Sequence, residues 1–390
     1  MAVIETEAIF RDTNMVDGQI QAATLPDVEP QYHAQFARLL KHVHADEIPE
    51  SGDLCSAADA AETWDVAAEP ELSLIAIGDI MLGGRAKRVI ASHGPAYPFA
   101  ATLPLFRRAH FVLGNLEGPL CRKSRREDRH YSYKVNPDLA DSLADAGVRV
   151  VTLANNHLLD CGRDGVLETL TALRHSGVAA LGAGVNEAAA HSPVILQAGS
   201  LRIGLLGYYW NQRCAATAAL PGSAMDQPAA LQADIRQLRS QVDRVVVTVH
   251  WGIPYVRQPS AEDRAKARWA VDCGADAIIG HHPHIVQPFE IYRDRPIFYS
   301  IGNFMMGSGN SRAEGLAVAL QFEARRTCVE CYPLYVKNRD PRVNYQPKLL
   351  RHRAAEQALD TLCSISGTSG EFLEVHGSHG RIELPWTAAR

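Results

Sequence analysis

Residues 274–288 read GADAIIGHHPHIVQP. The run Ala277–Ile279 is short, apolar and partly β-branched, which predicts a buried strand rather than a helix. It ends on His281, His282, Pro283 and His284. Three imidazoles in four residues at a strand end have no packing reason, and the proline fixes the loop that aims them. Four other stretches have the same design: LSLIAIGD (72–79), AHFVLGNLE (109–117), VRVVTLANNH (148–157) and RVVVTVH (244–250). Each is an apolar run followed by polar side chains: Asp79, then Asn115 and Glu117, then Asn155, Asn156 and His157, then His250. Between the runs, residues 163–177 and 260–275 carry helical periodicity with Gly177 and Gly274 as stops. This βα alternation predicts a layered α/β fold, and strands delivering polar residues to one edge predict a crevice there. Two hairpins, 193–208 turning at Gly199-Ser200 and 289–303 turning at Arg293-Asp294, make the sheets mixed rather than purely parallel.

Carboxylate, amide oxygen and imidazole without thiolate form a ligand set for one or two divalent ions such as Mn, Fe or Zn. The expected metal residues are Asp79, Glu117, Asn156, His250, His282 and His284. Taken singly each has a bland explanation: Asp79 as a turn residue, Asn156 as a helix cap, His250 as a half-buried histidine. Five strands ending this way outweigh those readings. His157 is the candidate for proton transfer, with Asp160 one turn on to hold one ring nitrogen. The bland alternatives are His157 packing on its strand and Asp160 starting a helix.

The loop CRKSRREDRHYSYK (121–134) directly follows Glu117 and gathers Arg122, Lys123, Arg125, Arg126, Arg129, His130 and Lys134 with two tyrosines. Such a charge run is a solvated loop unless it clamps an anionic chain, for which guanidinium groups are suited. Arg122, Arg125, Arg126 and Tyr133 are the expected substrate contacts, with His281. The formal net charge of -5 excludes the global basic field that nucleic acid binding needs. The N-terminal sequence lacks a signal-peptide pattern and the apolar runs are too short to span a bilayer, so a cytoplasmic protein without membrane insertion is expected. Eight scattered cysteines predict reduced thiols, with Cys328 and Cys331 as sheet residues rather than a redox pair. Residues 1–70 predict an appendage with one helix over Pro30–His44 and a linker, residues 71–350 the main domain, and 351–390 a C-terminal extension.

GDIML, GNLEGPL, VTLANNHLLDCG, VHWG, GADAIIGHHPHIVQP and YSIGNF together resemble the CapA or poly-γ-glutamate capsule synthesis family, a branch of the calcineurin-like metallophosphoesterases. The resemblance spans about residues 72–337 and implies a four-layered α-β-β-α sandwich with a metal site at the strand ends. By position, Asp79 matches the wider superfamily's first metal aspartate, Asn156-His157 its GNH, His250 its lone metal histidine, and His282-Pro283-His284 its closing HxH. Met81 stands where that pattern has a histidine and Asn115 where it has an aspartate, while Glu117 is close enough to supply the missing carboxylate. Pro254 replaces the glutamate of the capsule family's usual HWGxEY, which points to a different substrate. The resemblance implies a metal-dependent enzyme acting on a peptide-like or polyglutamate-like partner, by hydrolysis or transfer at an amide or, less so, a phosphoester. A peptide epimerase using Asp79 and His157 as opposed bases, and a non-catalytic subunit holding an acidic polymer, are the alternatives.

Overall fold

The computed structural model describes residues 15–16, 19–20, 49–55, 71–126, 132–307 and 314–386. The chain divides into two units, Met1–Ile48 and Pro49–Arg390. In the first, the strands Met15–Val16 and Gln19–Ile20 pair antiparallel. The helix expected over Pro30–His44 lies outside the described residues; of the stretch after it, residues 49–55 are described, with a short 3-10 helix at Ser51–Asp53.

The second unit is built on two sheets. The larger contains β1 (Leu72–Met81), β2 (Phe111–Leu116), β3 (Val148–Thr152) and β4 (Ala179–Leu181), side by side and parallel. The smaller contains β5 (Val194–Ala198), β6 (Leu201–Tyr209), β7 (Arg244–His250), β8 (Ala277–His281), β9 (Phe289–Tyr292) and β10 (Arg295–Phe298), in the order β9-β10-β8-β7-β6-β5. Its core strands β6, β7, β8 and β10 are parallel, and the two expected hairpins form its antiparallel edges, β5 with β6 and β9 with β10.

Successive side chains of a strand face opposite ways, and β1 uses both faces. Leu72, Leu74 and Ala76 meet Ile203, Leu205, Val246 and Ile279 of the other sheet, so the two sheets pack face to face. Ile75 and Ile77 point the other way, into a core shared with α1 (Ala86–His93), α2 (Leu139–Asp145) and α3 (Gly162–His175). On the far side, Val245 and Val247 of β7 pack on α4 (Pro228–Arg239) and α5 (Ala261–Asp272) through Leu231, Ile235 and Ala267. The result is the four-layered α-β-β-α sandwich. Burial on both faces is why the strands are continuous apolar runs rather than alternating ones.

The larger sheet continues through β11 (Asn303–Met306), which pairs parallel with the end of β1, and through β12 (Glu314–Phe322) and β13 (Arg326–Tyr335). Cys328 and Cys331 are buried sheet residues of β13. The last segment supplies α6 (His352–Ser366), β14 (Glu374–His376) and β15 (His379–Pro385). β15 hydrogen-bonds along β13, and Leu359 and Leu362 of α6 close the core between the sheets. Among the described residues, no helix is long and apolar enough to cross a membrane.

Candidate metal centre

The parallel strands of both sheets present their C-terminal ends to one place. The strands run through several of the expected site residues rather than stopping before them: Asp79, Asn115, His250 and His281 lie within β1, β2, β7 and β8. An irregularity at Gly78 brings Asp79 into register with Asn115. Gly78 is required there because a Cβ would collide with the Gly302 carbonyl at the start of β11. On the other sheet His282 and His284 hold φ of 98° and 56°, left-handed values on either side of Pro283. Such conformations cost about 1–3 kcal/mol each and persist where the surrounding structure imposes them.

The expected metal residues converge. Among the described residues, Glu117 with His250 and His282, and Asp79 with Glu117 and His284, form two groups whose ligand atoms lie within 4.8 Å of one another. Asn156 joins the first group, its Oδ1 lying 3.0 Å from His250 Nε2. Glu117 belongs to both groups. Met81 is buried beside Gly83 and Gly118 as a packing residue. Asn115 Nδ2 donates to Asp79 Oδ1 at 2.8 Å and to Glu117 Oε1 at 3.3 Å, and lies 3.2 Å from His250 Nδ1. Its orientation follows from Asn155, whose Nδ2 donates to Asn115 Oδ1 at 3.0 Å.

Asp79 has no exposed surface, and its Oδ2 faces His284 Nδ1 at 2.9 Å. It therefore offers no oxygen to a substrate from this position. His281 is equally buried, with Nδ1 3.3 Å from Asp79 Oδ1 but off the line of a hydrogen bond, so it lies beneath the carboxylate rather than on a substrate surface. Asn303 was not singled out from the SIGNF stretch, yet its Oδ1 lies 3.1 Å from His284 Nδ1 and its Nδ2 donates to the His284 carbonyl.

Burial alone would push Asp79 up, but contacts with His281 and His284 hold it well below the usual carboxylate range. Burial and the neighbouring Asp79 charge push Glu117 up to about 7. Against burial, Glu117 and Asp79 raise His284 to about 9. Burial and the His284 charge push His282 down to about 3, and burial and His282 keep His250 well below the ordinary histidine value. Neutral imidazole is the ligating form, so His250 and His282 are ready for a cation. Glu117 Oε2 and His282 Nδ1 are buried without a hydrogen-bond partner. Buried unpaired polar atoms are costly, and a cation beside them would offset that cost; the donor set fits a divalent ion.

His157 and Asp160 stand beside this cluster. His157 Nδ1 is 2.8 Å from Asp160 Oδ2, with both side chains almost wholly buried. Burial opposes charge on His157, but Asp160 and then Glu117 more than offset it and raise its pKa. The Tyr133 ring meets His157 edge-on at 4.9 Å, and the Tyr133 amide donates to Asp160 Oδ2 at 2.7 Å.

The basic loop is only partly delivered to a shared surface. Arg122 is exposed and tied to Asp138 Oδ1 at 2.5 Å and to Asn136. Arg125 is exposed, and Arg126 Nη1 donates to the Ser132 carbonyl and hydroxyl. Residues 127–131, including Arg129 and His130, lie outside the described residues. Lys87 of α1 was missed: burial and the charges of Arg126 and Lys134 lower its pKa, marking a positive cluster assembled from two segments. Lys87, Arg122 and Lys134 line a cavity of about 740 Å³ with apolar walls from Ile90 and Leu139. Glu168 of α3 was also missed. Its carboxylate accepts the backbone N–H groups of Arg122, Lys123 and Ser124 at 2.8, 2.9 and 2.6 Å, together with the Ser124 hydroxyl.

The family model described as Bacterial capsule synthesis protein PGA_cap matches residues 73–308, the stretch that supplies every residue of this centre. The chain belongs to this family. Within and around the PGA_cap region it is 30% identical over 285 residues to Capsule biosynthesis protein CapA of Bacillus anthracis, covering 70% of this chain and 69% of that protein. It is 32% identical over 252 residues to PGA biosynthesis protein CapA of Bacillus subtilis, covering 63% and 66%. A probable polyglutamine synthesis accessory protein of Mycobacterium tuberculosis matches at 30% over 203 residues, 48% of this chain and 53% of its own.

One sequence expectation fails beside the PGA_cap centre. The thiols were expected to be reduced throughout, but Cys121 and Cys161 are joined as a disulfide. They are 40 residues apart in sequence, and only the packing of the loop after β2 against the start of α3 brings them together.

Proposed function

We propose that this PGA_cap protein is a metal-dependent enzyme acting at an amide of a peptide-like or polyglutamate-like chain. The observation that carries the reading is the convergence of buried carboxylate, amide and imidazole groups from both sheets beside a His–Asp pair. Glu117, Asn156, His250, His282 and His284, with Asp79, would hold the ion. When bound, a divalent ion such as Mn, Fe or Zn would supply Lewis acidity toward a carbonyl oxygen. Asp160 fixes Nδ1 of His157, so the other ring nitrogen is left to take or give a proton. Tyr133 packs edge-on against that ring and limits its movement. Lys87 and Lys134, with Arg126 close by, would draw the carboxylates of an acidic chain toward the cavity that Lys87, Arg122 and Lys134 border.

The second reading, a subunit that holds an acidic polymer without reacting, is favoured by the same basic cluster and by the word accessory in the name of the mycobacterial relative. Mass spectrometry on poly-γ-glutamate and on short acidic peptides, with Mn²⁺ added and in deuterated water, separates the outcomes. Cleavage products support hydrolysis. Uptake of one deuteron at an intact chain supports epimerisation instead, and binding without any mass change supports the polymer-holding subunit.

A further inference from the structure

Cys121 and Cys161 sit at two functionally placed points of the fold. Cys121 is four residues beyond Glu117 and opens the basic strap 121–126; Cys161 directly follows Asp160 and caps the start of α3. Both are buried, at 1% and 3% exposure, and their sulfurs are bonded to one another. Gly165 one turn into α3 leaves room for this junction, since a Cβ there would run into the Cys161 side chain. The same strap is held by Glu168 from the same helix, so strap and helix are joined at two successive places. Cys121 also lines the 740 Å³ cavity with Arg122 and Lys134. The thiolate is the form that attacks a disulfide. Among the described residues the six other cysteines form no disulfide.

We propose that Cys121–Cys161 is a reversible disulfide that locks the basic strap onto the turn carrying His157 and Asp160. Its formation is a thiol–disulfide exchange with a small disulfide such as oxidised glutathione. One protein thiolate attacks a sulfur of the reagent, releasing one small thiol and leaving a mixed disulfide. The second protein thiolate then displaces the remaining small thiol, so two protein thiols are oxidised and one reagent disulfide is reduced to two thiols. In a reducing compartment the strap is held by non-covalent contacts, from Glu168, Asp138 and Lys134; under oxidation it is also held covalently. The inference does not depend on metal chemistry or on the substrate.

The full chain is equilibrated with oxidised glutathione or with a phosphine reductant, alkylated under denaturing conditions, and mapped by mass spectrometry. The same samples are exposed to trypsin under native conditions to read cleavage after Arg122, Lys123, Arg125 and Arg126. The expected result is a cross-linked Cys121–Cys161 peptide only in the oxidised sample, with cleavage in the strap slowed roughly tenfold or more by the constraint. In Cys161→Ser, cleavage should be the same under both conditions. Full alkylation of both cysteines after oxidation overturns the proposal, as does a cross-link that leaves strap cleavage unchanged.

Discussion

Replacing Glu168 by Ala removes the one carboxylate that accepts three successive backbone N–H groups of the basic strap. Hydrogen bonds to a charged acceptor are worth about 1.5–3 kcal/mol each when shielded. Arg122 and Lys123 are exposed, so water replaces much of what is lost, and each bond is discounted to about 0.7–1 kcal/mol. Three bonds then weaken strap docking by about 2–3 kcal/mol, or roughly 30- to 150-fold in the population of the undocked strap. The effect is local, so the global unfolding temperature should move little. Limited trypsinolysis in reducing buffer reads it directly, because cleavage after Arg122–Arg126 follows the open population when reclosing is fast. The pH dependence has a definite sign. Burial works against charge on Glu168, but its bonds to Ser124 and to the strap backbone outweigh it and lower its pKa to about 2 from an ordinary 4.5. A depressed carboxylate stabilises fully above about pH 4.5 and loses that contribution as pH falls through about 2. Hydrogen exchange of the strap amides, once corrected for intrinsic rates, should therefore be flat from pH 5 to 8 in the wild type. Strap cleavage in Glu168→Ala equal to wild type would refute the docking argument.

His282→Ala and His284→Ala should each lower bound metal well below about one equivalent while circular dichroism stays unchanged, because each removes a strong donor from an open site; elemental analysis checks this. His157→Ala should keep its metal and lose roughly a hundredfold or more in rate on whichever substrate the mass assay identifies; metal loss matching the His282 variant would make it a ligand instead. Since Asp160 and Glu117 raise the His157 pKa, the pair stabilises the metal-free protein fully below about pH 6.5 and loses that contribution as pH rises through the raised value. Urea melts across pH 5–9 should show this slope flattened in Asp160→Asn. Neutralising Lys87, Arg126 and Lys134 together should raise KM for an acidic chain at low salt and remove its salt dependence; an unchanged KM at low ionic strength would leave the cluster without a substrate role. Gly280→Ala should destabilise by about 3 kcal/mol or more in denaturant melts, since its Cβ would meet the Tyr299 carbonyl and the Trp251 indole.

Most of the fold and the members of the centre are legible from local sequence. Short apolar runs such as Val245–Val249 and Ala277–Ile279 are buried on both faces, and a strand needs no distant information to declare that. The polar residues at their ends report the crevice edge for the same reason, and so the expected ligands Asp79, Glu117, Asn156, His250, His282 and His284 are found together. Which of them face outward, and what supports them, is a tertiary matter. Asp79 and His281 become fully buried where the two sheets meet, and Asn303 is recruited to His284 because β11 pairs with the end of β1. Lys87 joins Arg126 and Lys134 across about forty residues, Glu168 reaches back to the strap at 122–124, and Cys161 meets Cys121. None of these pairs has a spacing or period to betray it. Periodicity along a chain encodes which face is buried, whereas partnership between two polar side chains depends on how separate elements dock, and that is decided only when the two sheets and their helices close on one another.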